Sequence, residues 1–337
     1  MQRNKGLQIV ELEITNRCNL DCRHCYVDKS HSADLGSKKV YGLIDECQKM
    51  RIHRLVLTGG EPLLVSRVFE FAQYAKKKKI PQVVLQTNGL LITKNNVEKF
   101  KIFNLVQLSI DMPLGEKAHF RKDYSVQLTK KIQLLKSHKI NLILQATIHK
   151  SILPVLDNLG KFAQKNNIFI GFNRLSAVGR AAELKGDFFS PSEFKEALTG
   201  ISRAKKKYGK LIRCSDPLFF LIDKDRMKYF NSLQGNKGEK ILGGCIAGIA
   251  ALYVGAKGDV YPCSFLRYSI GNVSKNSLEQ IWLKSAEIKK IRERKKFLGN
   301  CGKCKYVFYC GGYRTGSFLK TGKLTGPDPL CWLHKHI

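Results

Sequence analysis

The 337-residue chain is short of acid: 27 Asp and Glu stand against 59 Lys and Arg, for a formal net charge of +32. A field of that size draws an acidic partner, whether a polyanion, an acidic peptide, an acidic electron-donor protein or an anionic small molecule. The basic runs "AKKKKI" (75–80), "RAKKKYGK" (203–210) and "KKIRERKK" (289–296) read as solvated helix faces or helix ends. They lack the interleaved aromatics that stack bases, so nucleic acid is not the expected partner. No apolar run approaches the roughly 18 residues that cross a bilayer, which excludes a membrane-spanning helix. The N-terminus, "MQRNKGLQIVELEIT", has neither the long apolar stretch nor the small-residue cleavage site of a secretory signal, and the expected location is the cytoplasm. Apart from the lysine runs there is no low-complexity tract.

Cysteine, by contrast, is abundant. Eleven thiols in a reducing compartment are expected to serve as metal ligands or nucleophiles rather than disulfides. The length suits a large domain plus a small one, with residues 1–210 and 211–337 as the expected division.

The first half has a strand–helix rhythm. β-rich segments fall at 7–15, 53–58, 81–87, 104–110, 140–148 and 167–175, separated by stretches of helical apolar spacing such as "KKVYGLIDECQKM" and "RVFEFAQYAKKKK". Six alternations imply parallel strands joined by right-handed crossovers, an α/β fold in the form of a partial (β/α)6 TIM-like barrel. Reactive groups in such folds gather where strands end. The informative residues fall there: the cysteines follow the first strand, "TGGEP" the second, "TNG" the third and "SID" the fourth.

Within "NRCNLDCRHCY" (16–26), Cys18, Cys22 and Cys25 are spaced CxxxCxxC. Three thiolates on one loop can hold three irons of a cubane 4Fe-4S cluster and leave the fourth open to a substrate or cofactor. Zinc is the rival, with His24 or His31 as a fourth ligand, but zinc gives no reason for the glycine-rich turn that follows. Together with Tyr26 and "GGEP" at 59–62, the stretch closely resembles the radical S-adenosylmethionine (radical SAM) superfamily. That resemblance implies a cluster that binds SAM and cleaves it reductively to a 5′-deoxyadenosyl radical, which takes hydrogen from a substrate. It further implies that Gly59, Gly60 and Glu61 hold the methionyl amine and that Pro62 stiffens the turn. Asn88, Ser109 and Asp111 contact ribose and methionyl parts, Tyr26 lies near the adenine, and Arg121 lies near the carboxylate. Each has a plainer explanation: Asn88-Gly89 forms a turn without a ligand, and Asp111 can cap the next segment. Cys47, within an amphipathic helix, reads as a buried apolar residue. Arg174 and Arg180, in "RLSAVGRA", receive no assigned role.

The second half differs in character. Cys245, Gly258 and Cys263 are spaced Cx12Gx4C, a helical segment runs from about Leu278 to Lys296, and Cys301, Cys304, Cys310 and Cys331 follow. This half resembles the SPASM domain, a small α+β module that carries auxiliary clusters in many radical SAM maturases. One auxiliary 4Fe-4S cluster is expected on Cys301, Cys304, Cys310 and Cys331, with zinc as the alternative for the same thiols. "CGGYR" puts Tyr313 or Arg314 where the resemblance expects another cysteine, so a second auxiliary cluster is expected to be absent or incomplete. Cys245 and Cys263 are then partial ligands, assisted by Cys214, or packed remnants.

The expected activity is hydrogen abstraction from a ribosomally made peptide, as a peptide maturase. The alternative is tetrapyrrole modification in an alternative haem or haem d1 pathway. A third possibility from another class is a noncatalytic iron–sulfur or zinc RNA-binding protein. Ser264 stands where sulfatase maturases carry an aspartate base, which argues against that activity. Expected partners are an acidic peptide or anionic small molecule and an acidic electron donor such as flavodoxin or ferredoxin. Because the first strand starts within about seven residues, either a separate leader-peptide-binding protein presents the peptide or the substrate needs no leader.

Overall fold

The computed structural model describes residues 6–29, 31–110, 124–223 and 243–333, with Asp225 and Lys228 between them. β1 (Ile9–Glu13), β2 (Arg54–Thr58), β3 (Gln82–Thr87), β4 (Leu105–Ile110), β5 (Leu142–Ile148) and β6 (Phe169–Arg174) occupy the six expected segments. β7 (Ile212–Cys214), β8 (Ala251–Val254), β9 (Asp259–Tyr261) and β10 (Gly271–Asn272) complete an open sheet in the order β10-β9-β8-β1-β2-β3-β4-β5-β6-β7. β1 to β7 pair in parallel, as crossover helices require.

Strand periodicity sorts the sheet's two faces. On β1, Val10 and Leu12 are fully buried in the core, so Glu11 and Glu13 point to the opposite, barrel-interior face. The covering helices present matching stripes. In α1 (Ser37–Lys49), Val40, Leu43, Ile44 and Cys47 are buried at helical spacing. Cys47 is 0% exposed, and burial pushes its thiol pKa up, which makes it an inert packing residue. In α5 (Pro191–Tyr208) the sequence marks its own start: Ser190 and Glu193 form a reciprocal capping box with Pro191 in the first turn.

Two features depart from the sequence reading. The C-terminal hairpin joins the barrel sheet, since β8 pairs in parallel with β1 from Ile9↔Ala251 to Leu12↔Val254. Glu13 reinforces the junction by accepting from Tyr253 Oη–H and, at 3.2 Å, from Arg267 Nη2. The segment expected as one helix from 278 to 296 is instead helix Leu278–Lys284, helix Ala286–Arg292 and a 3-10 turn at Arg294–Lys296. The break falls at Ser285, whose hydroxyl caps the second helix through Ile288 N–H at 3.2 Å. Among the described residues, no helix is long and apolar enough to cross a membrane.

Candidate active site

Because β1 to β4 are parallel, their C-terminal loops share one edge of the sheet, and backbone hydrogen bonds tie those loops to one another. Gly60 N–H donates to Thr15 O and Glu61 N–H to Arg17 O, each at 2.8 Å. A Cβ on Gly59 would lie 2.3 Å from Thr15 O, and one on Gly60 would lie 2.3 Å from Arg17 O. The glycines thus let the second loop dock on the stem of the cysteine loop, a packing requirement that holds before any ligand is considered.

Glu61 is 0% exposed, and its carboxylate is spent inside the protein. It accepts from Thr87 Oγ1 at 2.6 Å, Leu63 N–H at 3.0 Å and Asn88 N–H at 2.8 Å. Burial pushes its pKa up, and these donors pull it back only partly. Only the backbone of this residue is left to meet a ligand. Pro62 is buried and opens the 3-10 turn that Glu61 caps. Asn88 in turn donates to Asn19 Oδ1 at 2.8 Å, which joins the third loop to the cysteine loop. Asn16, overlooked in the sequence although it stands two residues before Cys18, closes the base of that loop. Its amide donates to Asp28 O and His31 O and accepts from Ala33 N–H, at 3.0, 2.6 and 2.7 Å.

These loops border a cavity of about 470 Å³, within the range of small-molecule sites. Cys18, Cys22, Cys25, Tyr26, Gly59, Gly60, Asn88 and Ser109 all line it. Asp111 and Arg121 lie outside the described residues. Tyr26 packs edge-on against Phe265 at 4.9 Å, with the Arg267 guanidinium 5.4 Å from its ring centroid. Burial pushes the Cys18 thiol up, against a hydrogen bond from Leu20 N–H at 3.4 Å. The cavity also holds Glu11, which the sequence reading missed because alternation marked it only as a strand residue. Burial raises the Glu11 carboxyl to about 7, opposed by the Ser264 hydroxyl and by Arg267.

A second, small cavity brings together Cys301, Cys304, Cys310 and Cys331. Burial pushes Cys331 up to about 11 and raises Cys310 as well, so these thiols would give up their protons to a metal rather than to water. Cys245 and Cys263 line the large cavity, together with Tyr313. Of the two residues at the expected cysteine position, Arg314 is turned away, with its guanidinium on Leu324 O and Gly326 O at 3.0 and 2.9 Å. Cys214 sits on β7 in the core and lines neither cavity. All eleven cysteines lie among the described residues, and none is in a disulfide. Among the described residues, no three His, Cys, Asp or Glu side chains stand close enough to surround a single metal ion.

Arg174 connects the two cavities. It pairs with Asp216 at 2.6 Å and with Asp328 at 2.8 Å, and both carboxylates are 0% exposed. Burial opposes ionisation of both. Asp216 stays above its usual value, while Arg174 and the N–H groups of Tyr313 and Leu330 hold Asp328 below it. Asp328 O accepts from Cys331 N–H at 3.1 Å, so the clamp reaches the four-thiol pocket.

A parallel barrel with three thiols beside a glycine loop, followed by a four-thiol pocket, defines a cluster-dependent enzyme class. Residues 12–150 match the radical SAM superfamily, and residues 245–305 match an iron–sulfur cluster-binding domain, SPASM. The chain is a radical SAM enzyme with a C-terminal SPASM domain. It uses a 4Fe-4S cluster, SAM and auxiliary iron–sulfur chemistry, and the thiols and ligand-sized cavity fit these groups. The noncatalytic alternative falls away with this finding. The AdoMet-dependent heme synthase of Oleidesulfovibrio alaskensis is 26% identical over 344 residues, covering 96% of this chain and 87% of that protein. The mycofactocin maturase MftC of Mycolicibacterium smegmatis is 24% identical over 331 residues, covering 95% and 81%. Streptococcus suis SuiB bound to S-adenosylmethionine shares the fold at a TM-score of 0.78 and 15% identity, over 98% of this chain and 78% of that one.

Proposed function

We propose that this enzyme abstracts hydrogen from a ribosomally made peptide and so installs a crosslink or another oxidised product. In this reading Cys18, Cys22 and Cys25 hold the SAM-binding cluster, and Tyr26, Asn88, Ser109 and the backbone at 59–61 bracket SAM. Cys301, Cys304, Cys310 and Cys331 hold an auxiliary cluster. Together the cluster and SAM supply a one-electron cleavage that yields a carbon-centred radical able to take a hydrogen atom. The protein's own residues orient the substrate and keep bulk water out.

The observation that carries the peptide assignment is the cavity's belt of neutral amides. Gln86 of β3, Gln107 of β4, Gln145 of β5 and Asn173 of β6 all line it, and Gln145 Nε2 is buried without a hydrogen-bond partner. Paired amide donors and acceptors match peptide groups, and a buried donor with no partner is costly until something fills it. Arg174 is the one arginine among the described lining residues, and two aspartates already share it. Among the described lining residues, a polycarboxylate would therefore find Glu11 and no uncommitted guanidinium. The surface charge of +32 suits an acidic leader segment, a separate protein that presents it, and an acidic electron donor.

The second reading, haem-pathway tetrapyrrole modification, is favoured by the near full-length match to proteins named heme synthases. One experiment separates the two. The anaerobically reconstituted enzyme is incubated with SAM and a reductant, and 5′-deoxyadenosine release is compared with a candidate acidic precursor peptide and with an iron tetrapyrrole bearing propionates. Stimulation by peptide supports the proposal. Stimulation by the tetrapyrrole alone replaces it with the second reading.

A further inference from the structure

The turn after β6 reaches the cysteine loop although four strands separate β1 from β6 in the sheet. Arg180 makes the contact. Its backbone N–H donates to Cys25 O at 3.1 Å, its Nε–H donates to Cys22 O at 3.0 Å, and its Nη1 pairs with Asp21. The preceding Gly179 has φ +59°, and a Cβ there would lie 2.6 Å from Cys25 O, so this close approach depends on glycine. One arginine thus holds two of the three cysteines by their carbonyls and pulls the loop against the opposite side of the barrel mouth.

One donor is left over. Arg180 Nη2 is buried and makes no hydrogen bond. An unsatisfied buried guanidinium N–H is unfavourable unless the site later supplies an acceptor. The sulfurs of an anionic cluster are such acceptors, and hydrogen bonds to them raise a cluster's potential.

We propose that Arg180 is a positioning residue for the SAM-binding cluster: it clamps the Cys22 and Cys25 carbonyls and reserves Nη2 as a hydrogen-bond donor to that cluster. The proposal rests on the assignment of Cys18, Cys22 and Cys25 to that cluster.

The test uses the full chain, reconstituted anaerobically with iron and sulfide, as wild type, Arg180→Ala, Arg180→Lys and the Cys18/Cys22/Cys25→Ala triple variant. The readouts are iron retained against a chelator and the midpoint potential by EPR-monitored titration, with the four-thiol cluster as an internal control. Loss of an outer-shell partner typically costs about 10- to 100-fold in metal affinity, so Arg180→Ala should release the SAM-site cluster that much more readily while the control cluster stays. Arg180→Lys should keep more of the cluster but shift its potential to a more negative value, because a lysine cannot supply the planar fork. Unchanged retention and potential in Arg180→Ala would overturn the proposal. Loss of both clusters in both arginine variants would also overturn it, because the arginine would then be a general fold determinant. If the triple variant keeps both clusters, the cysteine assignment itself fails, and that outcome is separate from the arginine results.

Discussion

Replacing Arg174 with methionine tests whether the barrel end and the auxiliary pocket are held together by one buried cation. Arg174 bonds both oxygens of Asp216, at 2.6 and 3.0 Å, and both of Asp328, at 2.8 and 3.2 Å. Its guanidinium also stacks between Phe194 and Tyr313, 4.5 and 4.6 Å from their centroids. Methionine keeps much of the volume but leaves two fully buried carboxyls without a counter-charge. Breaking a buried pair from one side costs about 3 to 5 kcal/mol. With an unfolding entropy of about 2.1 cal/mol/K per residue, the 337-residue chain should lose about 4 to 7 °C of apparent melting temperature. Neutralising the partners as well, in Arg174→Met/Asp216→Asn/Asp328→Asn, should recover part of that loss. Circular dichroism melts and iron counts on the anaerobic holoenzyme provide the readouts. Iron in the four-thiol pocket should fall with the melting temperature, because the Asp328 backbone holds Cys331. A melting point within about 1 °C of wild type, with full iron, would refute the clamp, since buried pairs that can be broken freely contradict the desolvation cost.

The two thiol sets should separate by iron count. Cys301→Ser should lose about four irons, whereas Cys263→Ser, which faces the large cavity, should leave the four-thiol cluster in place by iron assay and EPR. Gly60→Ala places a Cβ 2.3 Å from Arg17 O. It should weaken SAM binding about tenfold or more, equivalent to about 1.4 kcal/mol, in anaerobic calorimetry. Gly42→Ala, on α1 with nothing within 4 Å of its added Cβ, is the control and should stabilise by about 0.5 to 1 kcal/mol. Glu11 supplies a pH dependence. Burial raises its carboxyl from the usual 4.5 to about 7 in the folded protein, so the folded state holds the proton longer than the unfolded one. The resulting stabilisation is fully present below the unfolded value and is lost as pH rises through about 7. Relative to Glu11→Gln, wild type should lose about 2 to 3 kcal/mol between pH 5 and 8, measured by denaturant titration. Parallel stability curves for the two proteins would refute the raised value.

The strand rhythm and the cysteine spacings were legible in one dimension because each depends on local chemistry: alternation for a strand, thiolate spacing on one loop for a cluster. Glu61 could be placed at the site from its motif, but its task could not, because the donors that occupy its carboxylate come from Thr87 and Asn88 on another strand end. Arg174 and Arg180 were visible and without roles for the same reason. Their partners lie as far away as Asp328 and Cys22, and nothing along the chain announces such pairs. Glu11 was hidden by strand alternation, which marks an inward side chain without saying whether it meets core or cavity.

By itself, then, the order of residues determined the parallel barrel and the two groups of thiols, because periodicity and ligand spacing act over a few residues at a time. Folding decided that Cys245 and Cys263 face the large cavity, that the C-terminal hairpin extends the barrel through β1, and which buried charges bridge the halves. Those outcomes come from packing between segments far apart in the chain, where burial makes each unpaired charge or donor costly enough to select its partner.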